Sequence, residues 1–174
     1  MAFYGFLFIS ILGTILHFTY DLSNHNKYVG LFSAVNESVW EHMKLVVFPS
    51  LIWTLIEIPF LYDNHNFIFA KFISLMTMLF LIPFLFYLAK HLFKKNYLLL
   101  DILIFYIAVG VGCLISFYIL KAKDIPAFIN YLSLIGLLFI YGYFLIATLI
   151  PGKSIVYNDP KTNKKGIAAH RFKL

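Results

Sequence analysis

Five long apolar runs decide what this chain can fold into. They cover about residues 2–20, 45–62, 67–88, 97–120 and 125–150. Each approaches the ~20 apolar residues that an α-helix needs to cross a bilayer. Backbone N–H and C=O groups in hydrocarbon must find partners within the segment, so runs of this length fold as helices. The polar remainder is thin: 61% of the 174 residues are hydrophobic and 13% charged, against about 45–50% and 25% in soluble domains. The fold class expected is an all-α integral membrane protein. Residues 1–152 form a five-helix transmembrane bundle, and 153–174 form a polar C-terminal tail. The first run has no basic start and no small-residue cleavage site, so it reads as a retained helix. Five spans without a repeat do not fit a simple inverted-repeat transporter. The lone Cys113 excludes a disulfide framework within the chain.

Lys and Arg set the expected orientation. Lys71, Lys121 and Lys123 fall on one side of the five spans, and the other eleven of the 14 basic residues fall on the opposite side. The richer side is expected to be cytoplasmic, with the N-terminus outside. Topology accounts for the net charge of +6, so nucleic acid is not an expected partner. Membrane lipid is.

Between the first two runs lies Asn36-Glu37-Ser38-Val39-Trp40-Glu41-His42-Met43-Lys44, the densest polar stretch in the chain. Asn36 is a good N-cap, and acids in the first turns suit the helix dipole. The expectation is a short interfacial helix from Asn36, bending near Pro49 before the second span. On it Glu37, Glu41 and Lys44 would share a face. Two glutamates at i, i+4 repel unless a cation lies between them. Lys44 is one candidate and a divalent metal is the other. Zn, Mn and Fe all accept carboxylate and imidazole ligands.

The first run carries Ser10, Thr14, His17 and Asp21 within about 60° of helical arc. Polar groups in lipid turn toward protein, so this stripe is expected to face the bundle. His17 and Asp21 would then meet the Asn36–Lys44 stretch at the cytoplasmic end. The candidate metal ligands are a subset of His17, Asp21, Glu37, Glu41 and His42. The candidate catalytic groups are Glu37, Glu41 and Lys44. Asn36, Trp40 and, from the tail, Asp159 are candidates for substrate binding. The tail itself, turn-rich from Asn158 to Asn163, is expected to order under the cytoplasmic face. Asp101 opens the fourth span on that side and could approach the stretch. Glu57, deep in the second span, is expected to be neutral or paired, since a lone charge there costs at least about 2.5–3.5 kcal/mol. Lys71, Ser74 and Tyr106 are its candidate partners.

The pattern His17-x3-Asp21, Asn36-Glu37-Ser38-x-Trp40-Glu41-His42-x-Lys44 and Asp159-Pro160 resembles an uncharacterised family of small multi-pass membrane proteins of bacteria and archaea. The resemblance covers the whole chain and implies a prokaryotic plasma membrane, with no assigned activity. More loosely, the chain resembles intramembrane hydrolases that bind a metal through carboxylates and histidines, although it lacks their His-x-x-x-His pair. Three readings follow. The first is a metal-dependent membrane hydrolase or transferase acting on a lipid or lipid-linked substrate. The second is a proton- or ion-coupled carrier using His17, Asp21 and Glu57, expected as a homo-oligomer. The third is a non-catalytic membrane scaffold.

Overall fold

The computed structural model describes residues 1–94 and 97–170, without the side chain of His170. Three of the basic residues used for orientation, Lys95, Arg171 and Lys173, lie outside the described residues. Five long helices run in chain order: α1 (Ala2–Leu22), α2 (Val39–Leu61), α3 (Phe67–Phe93), α4 (Leu98–Leu120) and α5 (Ala127–Leu149). A four-residue helix, α6 (Ile167–His170), follows in the tail. All five are long and apolar enough to cross a membrane, and there is no β-strand among the described residues. Each carries large apolar side chains on the outside of the bundle, such as Ile11, Leu55, Phe80, Leu103 and Phe139. Apolar surface on this scale marks a membrane or partner surface rather than one made for water.

The interior is built around α2, which packs on α1 and α3, while α3 also packs on α4 and α5. Val46, Val47 and Phe48 of α2 join Leu75, Met78, Ala108, Val109 and Phe144 in one buried cluster. At one end of the bundle Asn66 is fully buried and ties two loops together. Its side-chain amide donates to the carbonyls of Ile119, Ala122 and Lys123 at 3.0–3.2 Å and accepts from Ile125 N–H at 2.9 Å.

The region before the second span differs from the expectation. The Asn36–Lys44 stretch is not a separate interfacial helix. It runs directly into α2, which is continuous from Val39 through both Pro49 and Pro59. The cap is Ser38 rather than Asn36: Ser38 is extended, and its Oγ accepts from Glu41 N–H at 3.3 Å. Asn36 makes the preceding turn, with Oδ1 accepting from Ser38 N–H at 2.8 Å. Glu37 therefore sits ahead of the helix and does not share a helical face with Glu41.

Pro49 has no N–H to give the carbonyl of Leu45, four residues earlier. α1 packs against that carbonyl at a glycine. A Cβ built on Gly13 would lie 2.5 Å from Leu45 O and 2.7 Å from Phe105 Cζ. Gly5 makes a similar close approach to Trp53. These glycines, with Ile9, turn the buried face of α1 away from the expected polar stripe. Ser10 is buried and His17 half-buried, but Thr14 and Asp21 are exposed. Thr14 donates to its own helix at Ser10 O, 2.8 Å away. Gly13→Ala is expected to cost about 1–3 kcal/mol, the range for overpacking, because a backbone carbonyl must move. Unfolding in mixed micelles would measure it.

Candidate metal centre

Four segments meet where α1 ends and α2 begins. The loop from Ser23 to Ser38 folds back onto α1 through Ser33, which is fully buried. Ser33 Oγ donates to Leu16 O and accepts from Tyr20 N–H (3.0 Å) and Thr19 Oγ1 (2.9 Å). The same loop is held from below by Glu41. Its Oε2 accepts from Val35 N–H at 3.1 Å and from Lys44 Nζ at 2.6 Å. The sequence Ser38-x-x-Glu41 has the form of a capping box, in which the glutamate would reach back to the cap's own N–H. Here Asn36 takes that N–H, so Glu41 is released to clamp Val35 instead.

The clamp is buried throughout. Lys44 is fully buried and also donates to Gly30 O at 2.8 Å and to Thr148 Oγ1 at 3.4 Å. Glu41 and Lys44 are thus brought together with each other, beneath the loop and away from its open face. Of the three residues read as catalytic, only Glu37 reaches that face.

There Glu37 meets two histidines. Its Oε2 lies 4.0 Å from His17 Nε2 and 3.8 Å from His42 Nε2. The two imidazole centroids are 5.3 Å apart. One ligand-type atom from each of the three residues falls within 4.8 Å of the others, and all three side chains are half-buried. His42 Nδ1 lies 2.9 Å from Ser38 O. A proton on Nδ1 satisfies that carbonyl and leaves Nε2 with its lone pair facing Glu37. The other carboxylate oxygen of Glu37, Oε1, is 3.4 Å from Lys161 Nζ. Two imidazoles and a carboxylate with a held outer shell suit Zn, Mn or Fe.

Two cavities flank the group. A cleft of about 90 Å³ is bordered by His17, Phe18, Asp21, Asn36 and Glu37. A smaller cavity of about 30 Å³ lies on the other side of His42 and is bordered by Asp101 and Phe105. Asp21 is at the mouth of the cleft, but its Oδ1 is turned toward His25 Nε2 at 3.5 Å. It does not converge with the other three, and neither does Glu41.

The tail packs against three residues of the same stretch. Asn36 Nδ2 donates to Gly166 O at 3.0 Å, Glu37 meets Lys161, and Trp40 lies 4.6 Å from the Tyr157 ring. Trp40 is buried, stacked on Phe144 at 4.0 Å. Burial, and then its bond with Tyr143, push the Tyr157 phenol above its usual range, so it stays neutral. Asp159 is buried and organises the tail's turn. It accepts from Lys161 N–H, Thr162 N–H and Thr162 Oγ1 at 2.6–3.3 Å. The residues read as substrate-binding all make structural contacts: Asn36 and Trp40 dock the tail, Asp159 shapes it, and Asn36 also borders the cleft. The tail residue that reaches the site is Lys161. In the sequence it was one lysine of a basic tail, and nothing but its charge could have singled it out.

No curated protein and no solved structure matches the chain significantly. A model of one protein family matches residues 2–167, nearly the whole chain, and the chain belongs to that family, described as a family of unknown function (DUF6512).

Proposed function

We propose that the chain is a multi-pass membrane enzyme in which His17, Glu37 and His42 hold one divalent cation, Zn, Mn or Fe, for hydrolysis or group transfer on a lipid or lipid-linked substrate. The observation that carries the reading is the convergence of these three side chains. They come from α1, from the loop and from α2, and their ligand-type atoms lie within 4.8 Å of one another. A bound cation would supply a water of lowered pKa or polarise a substrate oxygen. His17 and His42 would bind through Nε2, and Glu37 through Oε2. Asp21 lines the same cleft with its Oδ1 toward His25, and it would have to turn inward to serve there as a general base.

The five apolar helices support insertion in a membrane. The excess of Lys and Arg at the end that carries the α1–α2 and α3–α4 connections and the tail supports a cytoplasmic site. In the structure Lys71 and Lys44 are both buried in the bundle, so one lysine drops out of the charge count on each side and the excess stays on the site's side. With the family resemblance, the membrane would be a prokaryotic plasma membrane.

Metal content by mass spectrometry on detergent-purified protein tests the reading. Wild type is expected to carry about one Zn, Mn or Fe per chain. His17→Ala, Glu37→Gln and His42→Ala should each keep less than about a tenth of it, since even losing an outer-shell partner costs roughly 10–100-fold in affinity. Wild type that stays metal-free after loading with all three ions, or variants that all retain metal, would overturn it.

A further inference from the structure

Resting on that metal reading, we infer that the substrate presents a phosphate carried on a lipid, and that Lys161 of the tail is the group that binds this anion. The Lys161 side chain is 63% exposed, and its Nζ lies on the Glu37 oxygen that faces away from the two histidines. The backbone beneath it is fixed. Asp159 N–H donates to Lys164 O at 2.9 Å, Asn163 N–H to Asp159 O at 2.8 Å, and Asn158 pairs with Lys165. Lys165 Nζ in turn donates to Gly152 O at 3.0 Å. A flexible cationic side chain on a fixed turn can leave one anion for another without unfolding the tail.

A dication on Glu37 supplies the reason to leave. It takes much of the carboxylate's charge and repels the nearby ammonium. The ammonium then needs an anion close to the metal. A phosphate offers several oxygens and can engage a metal and an ammonium together. An uncharged ester or amide would leave Lys161 unused.

The apolar rim indicates where the phosphate comes from. Phe18 borders the cleft and is 56% exposed, and Ile15 and Leu22 are exposed on the same helix. An acyl chain lying along α1 would bring its headgroup to His17 and Glu37. Inorganic phosphate gains nothing from that surface.

Cobalt(II) bound to the purified protein provides the readout, through its visible absorption. Dihexanoyl phosphatidate and inorganic phosphate are titrated separately, at saturating cobalt, into wild type, Lys161→Met and Lys161→Arg. Phosphatidate is expected to perturb the cobalt bands of wild type at concentrations at least about tenfold below those of inorganic phosphate, because burying its chains adds apolar contact. Lys161→Met should weaken phosphatidate by about tenfold, the worth of one charge-assisted hydrogen bond, and Lys161→Arg should restore most of it. Cobalt bound in wild type but silent to phosphatidate, equal response to both phosphates, or unchanged affinity in Lys161→Met would each overturn this inference alone. No cobalt in wild type would overturn the metal reading and the inference with it.

Discussion

Lys44→Met is expected to destabilise the protein by about 3–5 kcal/mol, the cost of stranding one charge of a buried pair. The ammonium is sealed from solvent and reaches Glu41, Gly30 and Thr148 together. Methionine fills a similar volume but leaves the Glu41 carboxylate, 2% exposed, with Val35 N–H as the bond that remains in its clamp. The double variant Glu41→Gln/Lys44→Met should recover most of the loss. The charge is then gone and the amide oxygen can still accept from Val35. Unfolding of both variants in mixed micelles measures the difference. Equal losses in single and double variants would mean that packing around Lys44 matters and the ion pair does not. The effect should extend to the candidate centre, because the clamp fixes the loop that presents Glu37. Lys44→Met is expected to lose metal along with stability, although neither Lys44 nor Glu41 touches the group.

The helices were legible in the sequence because hydrocarbon leaves a long backbone segment one good solution. Their ends were less so. The second run reads as 45–62, whereas α2 begins at Val39. An apolar run marks only the part of a helix that faces hydrocarbon or core. Here the first turn of the helix holds Glu41 and His42, whose polarity sets it apart from the apolar run and makes it read as a separate interfacial helix. Pro49 added to the error. A proline usually breaks a helix in water, but here the freed carbonyl of Leu45 is covered by Gly13 of α1 and the helix continues. Glycine carries no hydropathy signal, so this contact, and the rotation it imposes on α1, could not be read from the polar stripe.

The candidate centre was legible as a set of residue types and not as a geometry. His17, Glu37 and His42 were all in the set. Which members converge turned on one fact, that the helix is capped at Ser38. With Glu37 outside the helix, Glu41 one turn in and buried, and Lys44 beneath it, the two glutamates part. One clamps the loop and the other faces the histidines. Lys161 was invisible for a different reason. It is 124 residues from Glu37 in sequence, and only the fold of the tail places it there.

At the other end of the bundle, Glu57→Gln and Lys71→Met are each expected to cost about 3–5 kcal/mol, and the double variant far less than their sum. Lys71 of α3 donates to Glu57 of α2 and, at 3.3 Å, to Ser116 of α4, so one ammonium joins three helices. Both charges are buried, beside a cavity of about 40 Å³ bordered by Ser50, Thr54, Ser74 and Cys113. Breaking the pair leaves a lone charge where solvation is poor. Replacing both partners removes that charge, so the double variant reports what the pair is worth against neutral side chains. A double variant near wild-type stability would show that the pair sets helix register, since any other helix rotation would bury the two charges apart. A double variant as unstable as either single would show net stabilisation by the pair and by its bond to Ser116. Single losses below about 1 kcal/mol would place the pair in contact with water, as surface pairs are. The cavity would then be its route to solvent, and Glu57 would regain its place as a candidate proton site.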